Sequence, residues 1–283
     1  MSKVKKSNYK ILLLVPIVLL LLSAVFLINS YLQTGEWFKR SIELKGGALI
    51  TIHVDKPVQL ETLEDMLSPL GDFVLKETRG ISGYRILIEA GSDVNVTEII
   101  RTLQEGGLKI KSYSSETIGP ALGESFWYQA QLAIVVAFIL MGVIVFAIFR
   151  TIVPSVAVIL AALSDIVVTL AFMQILGISL SLAGIAALLM LIGYSIDTDI
   201  LLTTRTIRIH EKDVLHRIKD AFRTGITMTG TTMAALISVL IFSTSSVLTQ
   251  IATVLLIGLG IDLINTWLQN ATILRWYCES RGI

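Results

Sequence analysis

One cysteine, Cys278, stands in a chain of 283 residues, so neither an intrachain disulfide nor a thiolate metal site can form. Charge is scarce as well. Only 16% of residues are Asp, Glu, Lys or Arg and the formal net charge is +1, which leaves no basic field to meet nucleic acid. No GxxxxGK[ST] stretch occurs, and "GLGID" at 258–262 is too short and too deep in an apolar run to be a dinucleotide turn, so no nucleotide supplies energy. The three histidines lack metal-ligand spacing: His53 reads as a structural or exposed strand residue, His210 and His216 as part of a solvated loop. These absences point to a chain with no cofactor, no metal and no enzymatic constellation.

Apolar length is what the sequence has instead. Hydrophobic residues make up 54% of the chain and the mean hydropathy is +0.76, above the roughly 45–50% apolar content of soluble domains. Six segments, 11–32, 127–149, 152–176, 181–204, 224–244 and 247–270, each exceed the roughly 20 residues that cross a bilayer core. The first is too long for the core of a cleaved signal peptide and is expected to stay. Lys3, Lys5, Lys6 and Lys10 precede it. Arg150, then Arg205, Arg208, Lys212, Arg217, Lys219 and Arg223, then Arg275 and Arg281 crowd alternate ends of the later spans, while "GISLS" and "STSS" carry no charge. The positive-inside rule therefore places both termini in the cytoplasm of a multi-pass cell-membrane protein. The expected organisation is 1–32 (N-terminus and first span), 33–126 (extracytoplasmic domain) and 127–283 (five spans with a cytoplasmic loop at 205–221).

Residues 33–126 carry about 14 acids against 10 bases. "GALITIHV" alternates like a strand and "PVQLETLEDMLSPL" is helical in its leucine spacing. "FVLKETRGISGYRILIEA" reads as two strands around a five-residue turn holding Gly80 and Gly83. "NVTEIIRTLQEGG" is a second helix and "LKIKSYSSETI" a closing strand. The order βαββαβ predicts a ferredoxin-like domain, suited to holding a polypeptide rather than to catalysis. Asn95 of "NVT" reads as a helix cap in preference to a glycosylation site. Gly46 and Gly47 form either a plain turn into the first strand or a hinge and docking point.

Four acids lie within spans: Asp165, Asp197, Asp199 and Asp262. A carboxylate at the centre of a membrane helix costs roughly 2.5–3.5 kcal/mol, so ion coupling is favoured over structural pairing. Arg223 is the one obvious cation near them. Positions 197 and 199 lie about 200° apart on a helix, so one can face this chain's bundle and the other a second protein. Thr224, Thr227 and Thr231 form a hydroxyl stripe, read first as packing because such hydroxyls commonly bond their own helix. Burial raises and a nearby Arg lowers an Asp pKa, so protons are a plausible coupling ion; sodium is a rival for the same oxygens.

The layout of one span, a ferredoxin-like domain and five spans resembles the SecF branch of the SecD/SecF export family, related to resistance-nodulation-division (RND) transporters. "LKGGALI" resembles its glycine-pair motif, "LSDIVVTL" its HDxxxT segment, "IGYSIDTDI" its IGYSxND segment and "FRTGITMTGTT" its RT…T..TT segment. The resemblance implies that Asp165, Asp197, Asp199 and Arg223 couple ions, with Thr198, Thr227, Thr231 and Asp262 in support and Gly46 and Gly47 as a hinge. In an ungapped match Asp197 falls on the family's Asn, Thr198 on its Asp and Asp199 on its Thr. Ser164 replaces the His, and Thr204-Arg205 the cytoplasmic Asp-Arg, which is similar to the archaeal branch, where no SecA motor is present. The implied function is a non-enzymatic export accessory that acts with SecD, the SecY channel, exported polypeptides and membrane lipid, powered by the proton motive force. The alternatives are an independent ion-coupled small-molecule exporter of RND type and a non-motor stabiliser of SecD and the channel.

Overall fold

The computed structural model describes residues 9–71, 73–80, 83–91, 94–208 and 213–282. Lys3, Lys5, Lys6, His210 and Lys212 lie outside them. After a 3-10 turn at Tyr9–Leu13, α1 (Leu14–Thr34) ends on Gly35, whose φ of 74° and N–H bond to Tyr31 O make a left-handed cap. The short α2 (Ile42–Lys45) leads into β1 (Gly47–Val54), α3 (Leu60–Leu67), β2 (Phe73–Gly80), β3 (Gly83–Ala90), α4 (Val96–Glu105) and β4 (Ser112–Ile118). The remaining elements are α5 (Pro120–Phe149), α6 (Ile152–Ile175), α7 (Leu182–Arg208), α8 (Val214–Phe242), α9 (Ser246–Ile264), a π-helical turn (Asn265–Asn270) and α10 (Ala271–Arg281). Six helical runs are long and apolar enough to cross a membrane.

The four strands form one antiparallel sheet in the order β2-β3-β1-β4. Alternation sends Ile50, Ile52, Ile86 and Ile88 to one face, where Leu63 and Leu67 of α3 and Ile99 and Leu103 of α4 cover them. Asn95 caps α4 by accepting the Thr97 amide at 3.0 Å, as expected.

Several boundaries differ from the sequence reading. α3 stops at Leu67 and gives way to a 3-10 turn, Ser68–Leu70, because Pro69 lacks the amide that an α-turn needs. Gly80 pairs with Gly83, so the hairpin loop is two residues rather than five. Leu108 and Ile110 pack on the domain core without joining β4. α5 starts at Pro120, where a first-turn proline suits a helix start. α7 and α8 reach Arg208 and Val214, well into the stretch expected as loop, because helix continues on backbone hydrogen bonds after apolarity ends.

The small domain is bonded to the connectors between α6 and α7 and between α8 and α9. Segment 39–41 pairs with Leu180 through Ser41 N–H to Leu180 O and Leu180 N–H to Lys39 O, both 2.8 Å. Glu43 accepts the Leu182 amide at 2.7 Å and Arg85 donates to Thr244 O at 2.5 Å. Within the bundle α6 and α7 are central, while α1, α5 and α8 present much of their apolar surface outward.

Candidate functional site

α6, α7 and the last helical run meet along a seam that is polar. Ser164, Asp165 and Thr169 come from α6, Ser195, Asp199 and Thr203 from α7, Asp262 from α9, and Asn265, Thr266 and Asn270 from the π turn, all buried. Ser195, Asp199 and Thr203 share a helix face because they are four apart. The π turn follows an i→i+5 pattern and is wider than an α-turn. Asn265, Thr266, Gln269 and Asn270 are all buried in it.

The bonds are specific. Asp165 accepts from Ser195 Oγ on Oδ2 and from Asn265 Nδ2 on Oδ1, both at 2.7 Å, and Asn265 Nδ2 also reaches Ser164 Oγ at 3.0 Å. Asp199 Oδ1 accepts from Asn270 Nδ2 at 2.6 Å. The Thr266 hydroxyl lies 3.1 Å from Asp199 Oδ1 and 3.0 Å from Asp262 Oδ1, and Asp262 also interacts with Asp165 and Ser195.

Charge in this seam is uncompensated. Asp165 is 1% exposed, Asp199 and Asp262 0%, and among the described residues no Lys, Arg or His side chain bonds to any of them. Two ionised carboxylates bridged by one hydroxyl repel by roughly 3 kcal/mol at an effective dielectric constant of about 20. A site of this kind changes its energy steeply when a positive ion enters or leaves.

The other expected residues point elsewhere. Asp197 is exposed while Asp199 is buried, the division the helical angle anticipates. Arg223 is also exposed and pairs with no carboxylate among the described residues, so it does not join the buried aspartates. The exposed Thr227 and Thr231 return their hydroxyls to Arg223 O and Met228 O, each at 2.8 Å; buried Thr198 bonds Tyr194 O at 3.3 Å. Asp262, expected only in support, is central. Gly46 has φ 84°, and a Cβ there would lie 2.6 Å from Pro120 Cα. At Gly47 (φ 139°) a Cβ would overlap Ala90 O. The pair forms a close-packed joint between α2, α5 and the sheet.

Asn265, Thr266 and Asn270 escaped the sequence reading. The available signal was "DLINTWLQN": polar residues three, four and eight positions beyond Asp262 inside an apolar run.

Comparison with known proteins bears on this seam. The family "Protein export membrane protein SecD/SecF, C-terminal" matches residues 98–280. The chain belongs to the SecD/SecF family. Proteins named "Protein-export membrane protein SecF" from Pyrococcus furiosus and Methanocaldococcus jannaschii are each 40% identical to it, over 96% and 95% of this chain and 92% and 96% of theirs. That from Methanolacinia petrolearia is 41% identical over 94% of this chain and 93% of its own. The crystal structure of SecDF, "a translocon-associated membrane protein" from Thermus thermophilus, superposes with a TM-score of 0.77 at 22% identity. It shares the fold over 96% of this chain, which spans 38% of that longer one. This SecD/SecF-family chain is thus a protein-export membrane protein with six apolar helices, and its buried seam lies within the segment the family match covers.

Proposed function

We propose that this chain is an accessory subunit of the Sec export machinery that works with SecD to advance or release exported polypeptides, using an ion gradient across the cell membrane. The observation that carries the reading is the set of three buried aspartates with no cation among their partners in the described residues, placed in a chain of a protein-export family. Carboxylates so costly to bury are retained where ions move. The sheet-and-helix domain at 33–126 is assigned as a ferredoxin-like extracytoplasmic handle for the exported chain, with both termini cytoplasmic. Membrane lipid surrounds the spans, no enzymatic step is involved, and the SecY channel delivers the polypeptide.

Pairing with SecD has its own support. α8 presents Arg223, Thr227 and Thr231 outward, and α7 presents Asp197; charged side chains have no place against lipid tails, so a polar partner is needed to cover them. The decisive experiment reconstitutes the chain with SecD and SecY in proteoliposomes, imposes a proton gradient and follows release of an exported polypeptide. Acceleration by the gradient is expected with the wild type and not with Asp199→Asn or Arg223→Leu. Equal release by all three, with or without the gradient, would return the carboxylates to a structural role.

A further inference from the structure

Where the small domain meets the bundle there is a cavity of about 270 Å³, lined by Glu36, Lys39, Arg40, Lys45, Glu89 and Gln174 among others. None of the buried aspartates belongs to it. The ends of α1 and α6 meet there, tied together by the bond from Gln174 Nε2 to Ser30 Oγ at 2.6 Å. Val74 of β2 and Glu89 of β3 bring the edge of the sheet to the same space.

Of the charges lining the cavity, two cations have no counterpart. Glu36 is taken by Arg40, which donates to its Oε1 from Nε at 3.2 Å and from Nη2 at 2.6 Å and is steadied by the Trp127 ring 5.6 Å away. Glu89 accepts from the Ser179 hydroxyl at 3.3 Å. Lys39 and Lys45 are exposed and form no ion pair among the described residues. The helix ends do not call for them either. Ser30 O and Tyr31 O are met by the Thr34 hydroxyl and the Gly35 amide, and Phe172 O and Met173 O by the amides of Leu176 and Ile178. Two ammonium groups on one cavity repel, and an anion between them removes that repulsion. Gln174 Oε1 is a buried acceptor with no partner among the described residues, and an acceptor of this kind suits a hydroxyl.

The surroundings of the cavity are apolar and aromatic. Tyr31 and Trp37 stack with ring centroids 4.6 Å apart, and both are exposed; such rings collect at the headgroup level of a bilayer. Leu32 on α1 and Ile175 on α6, each within two residues of a cavity-lining side chain, are exposed as well. A soluble anion or an acidic polypeptide segment could meet the lysines but would leave this flank bare. We propose that the cavity binds the headgroup of an anionic phospholipid from the leaflet on the domain's side of the membrane. The phosphate lies between Lys39 and Lys45, a headgroup hydroxyl donates to Gln174 Oε1, and the chains run down α1 and α6. A lipid held there fastens the domain to α1 and α6, a second attachment beside the Arg85 bond to Thr244 O. The proposal rests on the apolar helices crossing a bilayer and is independent of ion coupling.

The test is native mass spectrometry of the full chain with SecD, released from detergent micelles that hold graded amounts of phosphatidylglycerol. The wild type should keep one more phosphatidylglycerol than the double variant Lys39→Gln/Lys45→Gln, whose affinity for it should fall about 30-fold. Lys39→Arg/Lys45→Arg should restore retention. Lys56→Gln/Lys109→Gln, which removes two exposed lysines that do not line the cavity, should retain lipid like the wild type. Diacylglycerol with the same chains should not be retained. All four lysines are exposed, and matching thermal midpoints verify that the variants fold. Equal retention by the wild type and the Lys39→Gln/Lys45→Gln variant overturns the site. Displacement of the lipid by an equal concentration of glycerol 3-phosphate also overturns it, since the anion alone is then recognised. Displacement by an equal concentration of a glutamate-rich peptide assigns the cavity to a polypeptide instead. No arm of the experiment measures export or requires a gradient.

Discussion

Asn95 and Thr203 show how differently a single polar side chain can stand in this protein. Asn95 accepts the Thr97 amide at 3.0 Å at the open start of α4, and losing such a cap costs about 1 kcal/mol. Asn95→Ala should therefore speed hydrogen exchange at the first α4 amides several-fold while leaving the bundle's exchange unchanged. Thr203 carries a buried hydroxyl without a partner among the described residues. Replacing an unsatisfied hydroxyl by a methyl of similar shape is neutral or stabilising, by up to about 1 kcal/mol. Thr203→Val is expected to hold or raise the thermal midpoint, and a clear drop would show that the hydroxyl has a partner after all. Asp165 and Asp199 were legible as site residues because a carboxylate in an apolar run announces its own cost. Thr266 was not, since a threonine in a membrane helix ordinarily bonds back to its own backbone, and only the position of its neighbours shows that it does not.

At the scale of elements, close approach is concentrated at a few glycines. A Cβ at Gly123 would lie 2.5 Å from Gly46 N, and one at Gly46 would lie 2.6 Å from Pro120 Cα. Backbone cannot yield as a flexible side chain can, and overpacking of this sort costs about 1–3 kcal/mol. Gly46→Ala should lower the melting temperature and loosen the joint, read as faster proteolysis near residue 119 with the sheet still folded. Strand alternation and leucine spacing made the domain's order of elements readable, since both are periodicities of two or 3.6 residues. Element ends were less readable. Pro69 cuts α3 short, while α7 and α8 run on past their apolar segments because nothing in their local sequence breaks the backbone ladder.

For the molecule as a whole, what is exposed matters as much as what is buried. Arg223, Asp197 and the outward threonines lie on faces that this chain alone does not cover. Sequence could separate Asp197 from Asp199 by angle, but it could not tell which of the two points inward, because that depends on the packing of α6, α7 and α9 together. Single substitutions Asp197→Cys, Arg223→Cys and Thr231→Cys should react with a water-soluble maleimide in the isolated chain and become protected when SecD is present. The native Cys278 is 0% exposed and should stay silent throughout. Unchanged reactivity at all three positions would mean that SecD docks elsewhere.

The π turn gives the last span an unequal tolerance for change. A π turn amounts to an α-helix carrying one surplus residue, whose rotation is absorbed in the widened turn. Deleting Leu268 would let the run close into an ordinary α-helix with α10 keeping its rotational phase, so Leu274 and Cys278, now buried, should stay inside. The loss would be local, because Asn265, Thr266 and Asn270 could no longer all face Asp165, Asp262 and Asp199. A one-residue deletion in the regular turns of α9 has no surplus to absorb it and would turn everything beyond it by about 100°.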